Sequence, residues 1–433
     1  MKKLLISLFL VFFLLFYVHF RIVGQAIYGD GIYYWSYAHA LYFNHDLNLY
    51  NGLEHIYSPQ NNNTLKPTNN SHLKIDKISW YQYPPGSSIT WVFGFIFADF
   101  LTKFFTIFNK SLSFSGYSDL YQFIVGIENI LFIIAGIYFL IKTLQMYVNS
   151  TISYITSISL LLGTNLLYYG SIDVLNSHPL SFLTSSFLLW YFIKSHKKQT
   201  YVKWFILGFT VGILALIRTQ DLLFLILPFV DIARLITIKK MKIIEFFISI
   251  LLLIFGTVVS FIPELIIWKN ITGSFFKSPY ALDNQFHFNN PHVIGLAFNS
   301  QTGFVLYTPL LILAFIGLFF FIKKQTYLGT LFSIFILLQM YLIANWSGWQ
   351  QGSSFGIRMF ISTYPLYAIG LSQIITLLIK KYSVKICIAL MCMFVLYNIG
   401  AIFYFLLFVK GITNVGSYVS QGTFIRNYIR EKL

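Results

Sequence analysis

Charge is what this chain has least of. Only 10% of its 433 residues are Asp, Glu, Lys or Arg, against 57% hydrophobic. A soluble domain carries about 25% charged residues, so a set of water-soluble domains is excluded. Acids are scarcer than bases, 14 against 30, which gives a net charge of +16. No soluble basic face accompanies that surplus, so nucleic acid is excluded as a partner. Cysteine is nearly absent: Cys387 and Cys392 share one apolar stretch, too few for a disulfide framework or a metal cluster. No clear internal repeat is visible, and such a repeat would mark many transporters.

What remains is apolar sequence in long runs, with a mean hydropathy of +0.69. Runs at about 4–27, 88–108, 118–142, 151–170, 178–194, 204–217, 221–236, 243–268, 304–322, 327–345, 359–379 and 384–409 predict an all-α polytopic membrane protein. We expect about 11–13 transmembrane helices, given a bilayer core of about 30 Å. The bases cluster between runs: Lys2-Lys3, Lys142, Lys194 to Lys203, Arg234 to Lys242, Lys323-Lys324 and Lys380-Lys381. This positive-inside pattern also favours contact with anionic membrane lipids. It predicts a multi-pass protein of the cell membrane whose other loops face away from the cytoplasm. Residues 1–409 form the membrane domain, with external loops at 29–87 and 269–303, and 410–433 are a short tail. Gly24-Gln25-Ala26 gives a competing signal-peptide reading, against which stands the length of the first run.

Two stretches conflict with a simple count. Full crossings by both 88–108 and 118–142 would carry Lys142 outside, so one of them would be re-entrant or the charge rule would fail there. Residues 204–236 are interrupted by Arg218-Thr219-Gln220-Asp221. A hairpin of two short helices keeps both flanking basic clusters inside and points Arg218 outward. The competing reading pairs Arg218 with Asp221 at i,i+3.

The external polar residues are then few. Asp30 follows the first span, before an interfacial helix expected over Gly31 to Phe43; it is either a helix cap or a functional acid at the membrane boundary. The first loop continues through Asp46 and an Asn-, Ser- and Pro-rich stretch at 58–79. It ends in Trp80-Tyr81-Gln82-Tyr83-Pro84-Pro85-Gly86, a turn leading into the next helix. Further on come Asp173 and His178, Arg218, the segment Tyr280 to His292 with Asp283, His287 and His292, and Trp346, Trp349 and Arg358. Aromatics suit sugar faces and arginines suit phosphate. Each motif has a plainer reading as well: the tryptophans as an interfacial belt, His178 as a locally bonded helix start, His287 and His292 as loop residues rather than metal ligands.

Taken together, the first-loop acid, the Tyr-Pro-Pro turn, the Asp/His loop near 173 and the arginine breaking a short helical pair resemble the C-type glycosyltransferase superfamily. The resemblance is to its protein mannosyltransferase and lipid A aminoarabinose transferase branches. It implies an enzyme that moves a hexose or pentose from a polyprenyl-phosphate donor to a glycan, lipid or protein acceptor, with inversion, on the extracytoplasmic side. Asp30 inherits the role of general base or metal ligand, and Asp173 matches a second acidic position. Arg218 and Arg358 would hold the lipid phosphate, with Tyr83, His178 and Trp349 as further substrate contacts. No cofactor is required by these residues; a divalent metal on Asp30 and Asp173 is the one the resemblance leaves open. Many relatives carry two adjacent acids where this chain has Asp30-Gly31, which weakens a metal-bridging role. The rival readings are a transporter and a lipid-linked glycan flippase or polymerase.

Overall fold

The computed structural model describes residues 1–57, 83–107, 114–196, 200–279, 286–300, 302–352 and 354–409. The stretch 58–79, Trp80 to Gln82, Lys198, Tyr280, Asp283 and the tail 410–433 lie outside them. Among the described residues every regular element is a helix, and the sole bridge of extended backbone joins Phe286 to Trp346. Seven helices among the described residues are long and apolar enough to cross a membrane, and two shorter apolar helices accompany them. Large apolar side chains stand exposed along them, among them Phe93, Leu251 and Leu396. On an outer surface that pattern suits lipid, where helices satisfy their own backbone groups. The chain is an all-α, multi-pass membrane protein.

The first helices settle the question of Lys142. Helix α1 (Lys2–Val23) and α5 (Asp119–Leu144) are antiparallel: Phe16 fills the space beside Gly126, and beyond the end of α1 the Ala26 N–H donates to Gln122 Oε1 at 2.8 Å. Two short helices, α2 (Gly31–His39) and α3 (Tyr50–Tyr57), follow. Helix α4 (Gly86–Thr106) is also antiparallel to α5. Trp91 Nε1 donates to Asn129 Oδ1 at 3.2 Å, and one face further along Tyr121 OH donates to Asp99 Oδ1 at 2.7 Å. Thus α1 and α4 point the same way, and α4 is not a return crossing. With α5 running against both, Lys142 lies on the side of Lys2 and Lys3.

From there the chain alternates. Helices α6 (Ser150–Leu162) and α7 (Leu166–Ser171) run back to the end of the bundle where Tyr28 meets Ile172, and α8 (His178–Ser195) leaves it. Helix α9 (Tyr201–Ile217), a 3-10 segment (Thr219–Leu225) and α10 (Ile226–Thr237) make the expected hairpin. Its two ends meet: Asp231 lies 3.5 Å from Lys203 Nζ, and Arg234 Nη1 lies 3.3 Å from His196 Nε2. Helix α11 (Ile243–Thr272) lies along α9 because Gly208 and Gly212 have no side chain there. A Cβ on either would overlap the Leu253 or Thr257 carbonyl oxygen, the small-xxx-small packing of membrane helices. Short α12 (Val293–Phe298) and α13 (Phe304–Tyr307) lead to α14 (Leu310–Lys324), α15 (Thr326–Asn345), a 3-10 turn at Arg358–Thr363, α16 (Tyr364–Lys381) and α17 (Val384–Tyr404). Gly317 of α14 and Gly370 of α16 are in backbone contact by the same device.

Candidate active site

Asp30 is placed by backbone, not by a cap. After α1 the chain turns back at Gly24 (φ 79°), and Tyr28 OH donates to the Ile172 carbonyl at 2.9 Å. Gly31 then presses on the 172–177 loop so closely that a Cβ would overlap the Leu175 carbonyl oxygen. That explains why a glycine, not a second acid, follows Asp30: no side chain fits. Asp30 stands at the N-terminus of α2 but makes no capping hydrogen bond. Its carboxylate turns instead to Arg358, with Nη1 to Oδ2 at 2.8 Å, and accepts from Tyr83 OH on Oδ1 at 3.4 Å. Tyr83 is itself held, stacked on Tyr33 with ring centroids 4.1 Å apart. Asp30 and Arg358 keep 17% and 20% side-chain exposure, so the pair is reachable.

Arg218 ends α9, where Gly86 at the start of α4 packs on the Leu216 carbonyl. Its guanidinium donates to Ser177 Oγ at 3.0 Å, and its Nε has no hydrogen-bond partner. Pairing with Asp221, the plainer expectation, is not what forms. Asp221 is fully buried and accepts from three neutral donors: Ser362 Oγ at 2.8 Å, Gln339 Nε2 at 3.2 Å and Ser181 Oγ at 3.3 Å. Asp221 therefore ties α8, α15 and the 358–363 turn to the hairpin and leaves Arg218 free to serve a ligand.

These groups open on one cavity of about 580 Å³. Asp30, Tyr34, Tyr83, Arg218, Gln351 and Arg358 provide most of its polar lining. Leu222, Leu223 and Ile226 of the hairpin and Leu342 and Ile343 of α15 line it with apolar surface, joined by Phe286 and Trp346. Burial pushes the Tyr34 phenol up, with Arg218 pulling the other way, so the wall beside Arg218 keeps its O–H. The arrangement combines a carboxylate, two guanidinium groups and an oily surface in one space, which suits an amphipathic anion.

Asp173, His178, Trp349, Asp46, His287 and His292 do not line this cavity. Asp173 stands behind, within electrostatic reach of Arg358; its carbonyl takes a short hydrogen bond from the Asn176 side chain. His178 is buried with both ring nitrogens unpaired, its ring 4.6 Å from that of Tyr169. Trp349 stacks on His292 at 5.0 Å and fills the space beside Gly295, while Trp346 takes the place on the cavity wall. Asp46 accepts from the Asn48 N–H in a local turn. The His287 and His292 backbone N–H groups bond the Asn345 and Ala344 carbonyls. Sequence reasoning missed Tyr34, Gln220 and Gln351; their signal was only nearness to Asp30, Arg218 and Arg358 in the chain.

The described residues around Asp30 do not by themselves fit a divalent metal. Among the described residues no three His, Cys, Asp or Glu side chains gather, and Asp30 already faces a guanidinium and a phenol. A cation there would meet Arg358 first, where hard cations want several oxygen ligands.

No family model matches the sequence, and no curated protein matches it. Among solved structures, the chain is similar to the apo oligosaccharyltransferase of Archaeoglobus fulgidus, with a TM-score of 0.45 and 10% identity over 93% of this chain and 55% of that one. It is similar also to the archaeal oligosaccharyltransferase AglB of the same organism in complex with an inhibitory peptide and a dolichol-phosphate, with a TM-score of 0.44, 10% identity and the same coverage. The chain thus spans about half the length of the solved structures it matches.

Proposed function

We propose that this protein is a membrane glycosyltransferase of the C type. It moves a sugar from a polyprenyl-phosphate donor to a hydroxyl-bearing acceptor on the extracytoplasmic side, with inversion. One observation carries the reading: Asp30, Arg218 and Arg358 line the same cavity as the apolar faces of the 219–226 segment and α15. A sugar on a lipid phosphate has the matching parts. Its isoprenoid chain suits the leucine and isoleucine lining, its phosphate suits the guanidinium groups, and its anomeric carbon comes to lie near a carboxylate.

The chemistry needs two things from the protein. Asp30 takes the proton of the attacking acceptor hydroxyl. The acceptor oxygen bonds to the anomeric carbon as the carbon–oxygen bond to phosphate breaks, and the departing phosphate carries the electron pair. Arg218, with its unpartnered Nε, and Arg358 stabilise that growing charge. Arg358 also aims the carboxylate, since it holds Asp30 Oδ2 at 2.8 Å. No metal enters the step. The basic clusters at the helix ends remote from the cavity, from Lys2-Lys3 to Lys380-Lys381, support placing the cavity outside the cytoplasm.

Asp30→Asn tests the reading. Asn keeps the shape of the side chain but cannot take a proton at neutral pH. Sugar transfer from polyprenyl-phosphate donors in membranes, normalised to protein level, is expected to fall by about 10²–10⁴-fold, the usual worth of a positioned base. Near-normal transfer would remove Asp30 as the base.

A further inference from the structure

The loop before Arg358 contains a second, less obvious functional group. Gln351 lines the cavity yet is only 4% exposed. Its backbone is left-handed (φ 57°), a conformation non-glycine residues adopt at a cost, and Gly352 follows with φ 60°. The Gln351 N–H closes this turn on the Gly348 carbonyl at 2.8 Å.

The side chain has two ends with different fates. Gln351 Oε1 accepts from the Met359 N–H at 3.2 Å. On the other side of the same residue, Gln220 Nε2 donates to the Met359 carbonyl at 3.1 Å. Two glutamines on the cavity wall thus clamp the residue that follows Arg358. The Met359 N–H also fixes which amide atom is which: an amide turned over would set N–H against N–H. The remaining end is therefore Nε2, a donor on a residue of the cavity wall, and it is buried with no hydrogen-bond partner. A buried amide left unpaired is destabilising, and here it coincides with a strained backbone. Both are expected where a ligand supplies the missing partner.

We infer that Gln351 is a sugar-recognition residue: its Nε2 donates to an oxygen on the ring of the donor sugar, beside the phosphate held by Arg218 and Arg358. This rests on the proposed reaction and adds the group that distinguishes a sugar-bearing donor from the bare lipid phosphate. Discrimination of this kind is strong when a site's polar group is unpaired without the right ligand.

The test uses the full-length protein in detergent and two kinds of probe. One is polyprenyl monophosphate. The other is a panel of polyprenyl-phosphate monosaccharides covering glucose, mannose, galactose, N-acetylglucosamine and arabinose. Affinities are measured for wild type, Gln351→Glu and Gln351→Met. Gln351→Glu keeps an oxygen for the Met359 N–H and replaces the donor with an acceptor, whereas Gln351→Met removes both without adding charge. Wild type is expected to bind at least one sugar-bearing probe about tenfold more tightly than the monophosphate, the worth of one good hydrogen bond. Both variants should lose that preference. A folded variant that keeps the full preference, or a wild type that binds the monophosphate but prefers no sugar, overturns the assignment of Gln351 alone. Failure of wild type to bind any of the probes overturns the proposed reaction instead.

Discussion

Two aspartates stand at opposite ends of the helix bundle, each beside arginine, and they do different work. Asp231 is fully buried. Tyr327 OH donates to it at 3.2 Å, and His196, Lys203 and Arg234 approach it at 3.3, 3.5 and 3.8 Å. Lys203 is itself buried, with Nζ 4.0 Å above the Trp204 ring, and the Arg234 guanidinium lies 4.0 Å above Tyr327. This cluster joins the end of α8, the start of α9, α10 and the start of α15. Asp30 has an arginine and one tyrosine, keeps 17% exposure and faces a cavity. An ion pair in a membrane protein is thus not by itself a functional sign. What marks the site is charge with room beside it: Asp30 and Arg358 open on a cavity.

That contrast can be broken by exchanging the two behaviours. Asp231→Asn leaves Lys203 buried without its counter-charge and is expected to cost about 3–5 kcal/mol of stability, read as a fall in the unfolding midpoint. Asp30→Asn should lower that midpoint much less, since no capping bond is lost and Arg358, its partner, keeps 20% exposure beside the cavity. Equal destabilisation by both would put Asp30 in the structural class. Next in size, Arg218→Ala should weaken polyprenyl monophosphate binding by about 2–3 kcal/mol through loss of charge-assisted hydrogen bonds. Arg218→Lys should restore only part, because the planar fork is gone. Unchanged affinity in Arg218→Ala would take it out of the site. The smallest effect expected is that of Tyr83→Phe, which removes the 3.4 Å hydrogen bond to Asp30. A rise of about 0.5–1.5 kcal/mol in the transfer barrier, without loss of monophosphate binding, is the outcome that fits an orienting role. A loss of monophosphate binding equal to that of Arg218→Ala would make Tyr83 a phosphate ligand instead.

Much of this was readable from sequence because apolar runs and rare charges constrain a membrane protein strongly. The hairpin at 204–236 followed from the basic residues at both ends, and Asp30 and Arg218 stood out because a charge at such a boundary is costly. The direction of α4 could not be read, since hydropathy has no sense along the axis; only pairs such as Trp91 with Asn129 reveal it. The partners of Asp221 were equally hidden: Gln339 and Ser362 are 118 and 141 residues away, while Arg218 was the near neighbour. The choice between Trp346 and Trp349 depended on how the 346–352 turn folds. Gln351 gave no signal beyond its nearness to Arg358, because its importance lies in a left-handed turn and in an N–H group without a partner.

The claim on which the rest depends is that the cavity holds a lipid phosphate beside the Asp30–Arg358 pair. A structure of the full-length protein with polyprenyl monophosphate bound tests this most directly. The phosphate oxygens should lie about 3 Å from the Arg218 guanidinium, and the first isoprene units should run along Leu222, Ile226 and Leu342. A phosphate bound elsewhere, with Arg218 still on Ser177 and the cavity empty of lipid, would contradict it.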